Sequence, residues 1–158
     1  MKDFFDESFK IFHKDWPLVT AGTLDNYNTM TIGWGGVGTL WRKPVVSVYV
    51  KPIRYTHSFL EANDYFTVSF YDEQYRDALS FLGRNSGRDM NKVEKVGFEP
   101  VSVGESVTFK QAKTTLLCKK IYRQDLDISA IPSDIVDTYY TEEAPHTVFV
   151  GEVIEVIE

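Results

Sequence analysis

The sequence holds a single cysteine, Cys118, so no internal disulfide can form. No apolar run approaches the roughly 20 residues of a membrane-spanning helix. Met1 to Lys10 mixes charge with aromatics and lacks the apolar stretch of a signal peptide. Together these absences point to a reducing, cytoplasmic setting. Histidine is scarce as well. His13, His57 and His146 lie far apart and fit no metal-ligand spacing. Cys118 sits within an apolar stretch with no sign of activation and reads as a core thiol. Phosphate-binding P-loops, nucleophile elbows and the glycine fingerprint of a dinucleotide fold are all missing. The formal net charge is −6. That excludes non-specific nucleic-acid binding, which needs a basic field. Lys and Arg are absent from Asp125 to Glu158. An anionic ligand is therefore expected to be held by earlier residues, among them Arg42, Lys43, Lys51, Arg54, Arg84, Arg88 and Lys92.

What remains is enough for one core. The chain has 158 residues, of which 43% are hydrophobic and 15% aromatic. Such a composition buries a sizeable interior and fits a single domain spanning residues 1–158. Phe5, Phe9, Phe12 and Trp16 recur at helical spacing and predict a short N-terminal helix ended by Trp16-Pro17. Leu18 to Thr23 and Met30 to Trp34 predict two strands of a hairpin, with Asp25 to Asn28 as turn formers and Gly35-Gly36 as a break. Val45 to Val50 is dense in β-branched residues and predicts a strand ended by Pro52. Thr56 is expected to cap a helix from His57 to Ala62.

Tyr65 to Tyr71 predicts a strand, with Phe66, Val68 and Phe70 on one face. Glu73 to Leu82 predicts a helix burying Tyr75, Ala78, Leu79 and Leu82, and Gly83 to Lys92 a basic loop. Phe109 to Arg123 contains a long strand with Leu116, Cys118 and Ile121 inward. Ser133 is expected to cap a helix to Tyr139. His146 to Ile157 closes the chain as a strand with Val148, Val150 and Val153 inward and a kink at Gly151. The sum is a mainly β domain with peripheral helices, best read as a barrel.

Three stretches carry candidate chemistry. Asn28-Thr29-Met30-Thr31-Ile32-Gly33-Trp34 combines an amide, small hydroxyls, a glycine and a tryptophan. It suits either a plain hairpin or a surface on which a flat ligand approaches the backbone. Arg54 stands just before a helix start, where free N–H groups and the positive dipole end favour an anion. Gly83 to Lys92 is either a solvated loop or a basic cover over an anionic ligand.

Taken in order, Asn28-Thr29-Met30-Thr31 with Trp34, Arg54-Tyr55-Thr56, Ser86-Gly87-Arg88-Asp89 with Lys92, and His146-x-x-Phe149-x-Gly151-Glu152-Val153 resemble the flavin reductase-like family, in its flavoredoxin-like branch. The resemblance spans roughly residues 10 to 155. It implies an FMN-binding split β-barrel and a homodimer with FMN near the subunit interface. By the same resemblance, Asn28, Thr29, Met30, Thr31 and Trp34 lie along the flavin ring, with Ser47 and Val48 also at the cofactor. Arg54 and Thr56 take its phosphate, Lys92 is a basic residue that reaches the cofactor, Tyr55 and Ser86 are also at the cofactor, and His146 stands near the flavin. The implied activity is NAD(P)H-dependent flavin reduction, with hydride passed to flavin N5. A redox partner protein or a monooxygenase would receive the product. The alternatives are a non-catalytic FMN electron carrier and a split-barrel interaction module without cofactor.

Overall fold

Strands here are written as alternation, with one side chain inward and the next outward, and one sheet collects most of them. The computed structural model describes residues 1–158. After helix α1 (Lys2–His13) come β1 (Leu18–Thr23), β2 (Asn26–Thr31), β3 (Gly35–Leu40) and β4 (Lys43–Val50). Helix α2 (Tyr55–Ala62), β5 (Tyr65–Phe70), α3 (Arg76–Arg84) and the short α4 (Lys92–Val96) follow. A hairpin of β6 (Pro100–Val103) and β7 (Ser106–Phe109) precedes the long β8 (Thr114–Asp125). Helix α5 (Ser133–Tyr139) and β9 (Thr147–Ile157) complete the chain. No helix is long and apolar enough to cross a membrane.

Seven strands form an antiparallel sheet in the order β2-β1-β5-β8-β9-β4-β3, and β6-β7 stands apart as a second sheet. The sheet does not close, since β2 and β3 are its two edges. The fold is a mainly β split barrel with helices around it. The two edges are consecutive in sequence, joined only by Ile32-Gly33-Trp34. The seam of the barrel is therefore spanned by the very residues that the candidate ring-binding stretch supplies.

Strand β1 has a core on each side. Val19 and Ala21 point into the barrel with Met30, Val46, Val48, Phe66, Val68 and Phe149. Leu18 points the other way, to a smaller cluster with Leu79, Leu82, Phe98 and Phe109 beneath α3. Each such fully buried side chain contributes about 1.5–3 kcal/mol of hydrophobic stabilisation before entropy is counted. The inward sets expected for β5 and for the helix beginning at Glu73 are those found.

Several local expectations change. The β1–β2 hairpin turns on Leu24-Asp25, because Thr23 pairs with Asn26 and Ala21 with Asn28. Asn28 is therefore a strand residue, not a turn residue, and the second strand ends at Thr31. Gly35-Gly36 opens β3, where those residues pair with Val48 and Ser47. Ladder hydrogen bonds hold that edge strand although its side chains say nothing. Thr56 lies inside the first turn of α2 and Ser133 inside that of α5, so neither is a cap, and Arg54 and Pro132 hold those positions. Lys92 begins a helix instead of ending a loop. The Pro100–Phe109 hairpin was not expected at all.

Phe149, not Val148, is the fully buried hydrophobic residue at the start of β9. Gly151 is a place of close approach, not a kink. A Cβ there would stand 2.6 Å from Phe66 Cζ and 2.7 Å from Cys118 Cβ. The irregularities of register lie in the β8–β9 ladder, between Leu117 and Cys118, where Ile154 is skipped, and between Lys120 and Tyr122, where Ile121 is skipped. Burial pushes the Cys118 thiol up to about 12, so it stays protonated as a packing group.

Candidate functional site

The seam, the N-terminus of α2 and the turn after α3 meet in one groove. Pro52 ends the extended run of β4, and Arg54, with φ −74° and ψ 135°, starts α2 without a side-chain cap hydrogen bond. The His57 amide donates to Arg54 O over 3.0 Å, and the Tyr55 and Thr56 amides are left to another acceptor. Thr56 Oγ1 is engaged with Asn28 Nδ2, which donates to it over 2.8 Å. That bond ties the edge strand β2 to α2 and fixes the amide face of Asn28. Gly87 packs so tightly on Asn28 that a Cβ would overlap the Asn28 amide oxygen, so the 85–91 loop is pinned against the same strand.

Four cations surround this point. Arg54 Nη2 donates to Gly83 O at 2.9 Å. Lys92 is 3% exposed, and its Nζ donates to Leu82 O and Asn85 O, both at 2.8 Å. Both side chains thereby satisfy carbonyls at the end of α3, where the helix dipole favours positive charge. Arg88 donates to Ile53 O and lies over the Tyr55 ring, 4.8 Å from its centroid. Arg84 completes the rim, and Glu143 is the one acid lining this cavity of about 350 Å³. Burial first, then the charge of Arg54, brings the Lys92 ammonium down to about 8. Two half-desolvated cations held beside each other favour an anion between them.

A second cavity of about 380 Å³ continues from the first, sharing Met30, Ile53, Arg54 and Glu143. It lies in the seam. Met30 to Trp34 line it on one side, and Tyr49 and Lys51 at the end of β4 on the other. Trp34 is 45% exposed and packs against His146 at 4.8 Å with the rings tilted by 44°, with Tyr139 edge-on at 5.3 Å. Burial, and then the charge of Lys51, lowers His146 to about 4, so the ring is neutral at pH 7. The groove is thus cationic at one end and aromatic at the other. A larger hollow of about 540 Å³ lies between α1 and Tyr71 to Arg76, but it has acids and bases in alternation and no aromatic platform.

Ten of the thirteen residues expected at a cofactor line this groove: Asn28, Met30, Thr31, Trp34, Arg54, Tyr55, Thr56, Ser86, Lys92 and His146. Thr31 also donates to Leu79 O, anchoring α3 to β2. Three expected residues are elsewhere. Thr29 faces away from the groove, fully buried, donating to Val19 O and sharing a hydrogen bond with Thr20. Val48 points into the barrel core. Ser47 is half-buried and pairs with Gly36 and Val150. Tyr49, one alternation further along the face of Ser47, is the β4 residue that reaches the cavity. Glu143 and Ile53 carry no sequence signal of their own, Lys51 and Arg84 stand out only as basic residues, and Arg88 only as part of the Ser86-Gly87-Arg88-Asp89 motif. The alternation of Val46, Val48 and Val50 would have singled out Tyr49, but nothing local marks Glu143.

A family model described as the flavin reductase like domain matches residues 10–158. No curated protein sequence matches the chain. Among solved structures, the fold is similar to an FMN-binding protein from Thermus thermophilus with bound 1-cyclohex-2-enone. That match has 20% identity and a TM-score of 0.70, and covers 93% of this chain and 74% of that one. It is similar to a flavoredoxin from Methanosarcina acetivorans at 22% identity and TM-score 0.71, covering 91% and 68% of the two chains. It is also similar to an NADH:FAD oxidoreductase from Streptomyces globisporus C-1027 at 19% identity and TM-score 0.67, covering 91% and 75%.

Proposed function

Because the chain belongs to the flavin reductase-like family, we propose that it is an FMN-binding oxidoreductase, and that it acts as an NAD(P)H-dependent flavin reductase within a single domain. The observation that carries this reading is the convergence of Arg54, Lys92 and Arg88 on the uncapped start of α2. A phosphate needs amide donors, a positive dipole end and forked cations, and all three are present. The aromatic end of the groove suits a flat ring system. Met30 offers a pliable apolar surface, and Trp34 and His146 form an aromatic wall. The donor set thus fits FMN. Bound there, FMN would supply hydride acceptance at its N5 and onward delivery of reducing equivalents.

The protein's own share is position and electrostatics. Arg54, Lys92 and Thr56 hold the phosphate end, Asn28 and β2 orient the ring, and Trp34 limits water on one side. A nicotinamide would have to stack directly over the ring, since the chain has no dinucleotide fold of its own. Calorimetric titration tests the reading. FMN is expected to bind more tightly than riboflavin by roughly tenfold to a hundredfold, one charge-assisted contact being worth about 1.5–3 kcal/mol. Equal affinities would remove the phosphate site, and no binding of either flavin would remove the function. Stopped-flow mixing with NADH and NADPH then separates reductase from electron carrier, since only a reductase bleaches rapidly. A monooxygenase or redox protein is the expected consumer of the reduced flavin.

A homodimer belongs to the same proposal. Phe4, Phe5 and Phe9 on α1, together with Val37, lie exposed along a hollow that shares Gly33 and Trp34 with the seam. Apolar side chains contiguous with a site are best covered by a second copy in closed C2 pairing. Light scattering at micromolar concentration is expected to give twice the chain mass, and a monomer mass counts against the dimer.

A further inference from the structure

Between α5 and β9 the chain forms a strap, residues 140–146, that ends at His146. Tyr140 Oη and His146 Nδ1 are 2.7 Å apart. The strap is fastened to the end of β4 by Lys51, whose Nζ reaches Glu143 at 2.8 Å and lies 5.7 Å from the Tyr140 ring centroid. His146 is only 9% exposed. Its Nε2 has no hydrogen-bond partner in the protein, yet it is not sealed in, for Ser106 Oγ is the sole buried side-chain polar atom without a partner. The open edge of the ring therefore belongs to the seam cavity, which His146 lines.

A phenol O–H is a stronger donor than an imidazole N–H, and an imidazole nitrogen is the better acceptor. The Tyr140 hydroxyl accordingly donates to Nδ1, and the proton of the neutral ring resides on Nε2. We propose that Tyr140 is a positioning residue: it locks His146 in the Nε2–H tautomer against Trp34, so that a neutral N–H donor faces a carbonyl oxygen of the ring ligand in the seam. The identity of that ligand rests on the flavin reading above, whereas the tautomer does not. Lys51, Arg54, Glu143, Tyr49 and Tyr140 are the titratable groups around this cavity, and Lys51 is the cation that disfavours a second proton on the ring.

The ligand-free protein provides the first test. Long-range proton–nitrogen NMR of the three histidines, assigned with His146→Ala, is expected to show His146 solely as Nε2–H and without titration across roughly pH 5–8. Tyr140→Phe keeps the ring packing and removes only the hydroxyl. It is expected to give a tautomer mixture, while burial and Lys51 still hold the ring low. An Nδ1–H tautomer in the wild type, or unchanged spectra in Tyr140→Phe, overturns the proposal. FMN titrations form the second arm. His146→Ala is expected to weaken FMN about tenfold, Tyr140→Phe by less, and the double variant no more than His146→Ala alone. Additive losses would mean that Tyr140 does not act through His146 and would overturn its role. Should the wild type bind no flavin, the flavin reading fails by itself and the NMR arm still decides the role of Tyr140.

Discussion

FMN affinity is expected to fall roughly tenfold to a hundredfold when Arg54 is replaced by alanine, while riboflavin affinity hardly moves. The guanidinium stands at the N-cap of α2, where a phosphate would meet both the first-turn amides and two forked N–H donors. Lysine cannot copy that geometry, so Arg54→Lys should recover only part of the loss. The side chain is half-buried and donates to Gly83 O, so alanine also frees a carbonyl near the end of α3. A stability cost of about 1 kcal/mol is expected from that bond alone. Calorimetric titration with both flavins, alongside a denaturant melt, separates these contributions. A parallel loss for FMN and riboflavin would make Arg54 a support of the ring site. No loss for either would move the phosphate towards Ser86 and Arg88.

Lys92→Met is expected to damage both fold and ligand affinity. Methionine fills the same space but leaves Leu82 O and Asn85 O without their donor. A destabilisation of about 1–3 kcal/mol follows from the orphaned carbonyls, less whatever is regained by removing a buried charge. The pH behaviour is more distinctive. In the folded protein Lys92 titrates at about 8, below its ordinary range, because burial and Arg54 disfavour the charged form. Below that pH the lysine is protonated in both folded and unfolded chains, and the penalty is carried in full. Above it the folded protein sheds the proton first, so stability rises towards the unfolded value of about 10.4. FMN affinity runs the opposite way, since the phosphate needs the charge. It should decline as pH rises beyond about 8, with riboflavin affinity flat. Both trends should vanish in Lys92→Met. A wild-type FMN affinity that is constant to pH 10 would show that Lys92 does not serve the phosphate.

Where a single element carries its own period, the sequence was enough. Leu18 to Thr23, Tyr65 to Phe70 and the helix through Ala78, Leu79 and Leu82 appear where their alternation or helical spacing places them. Gly35 to Leu40 could not be read, because half its residues are glycine and its order comes from pairing with β4. The Pro100–Phe109 hairpin did leave a mark. Val101 and Val103 alternate before Gly104-Glu105, and Val107 and Phe109 after it. Asn28 misled because asparagine favours turns, whereas here its amide is consumed by Thr56.

The site divides in the same way. Arg54 was legible because a proline, a helix start and a cation occur together in one short stretch. Lys92 was legible as a basic residue but not as a buried one, since its burial depends on how α3 ends. Glu143 and Tyr140 were invisible because β9, lying beside β4, brings their strap to the groove.

The sheet order also governs when the groove can come into being. β2 and β3 follow each other in the chain yet stand at opposite edges, with β8 and β9 inserted between the β2-β1-β5 half and the β4-β3 half. A chain lacking β9 has two unconnected half-sheets and no seam. The groove therefore depends on contacts of long sequence separation, such as those of β9 with β4. Anything seated across the seam binds the finished barrel alone and deepens its free-energy well by mass action, by about 2.7 kcal/mol at a ligand concentration a hundred times Kd. Occupancy of the groove thus requires both halves of the sheet to be joined.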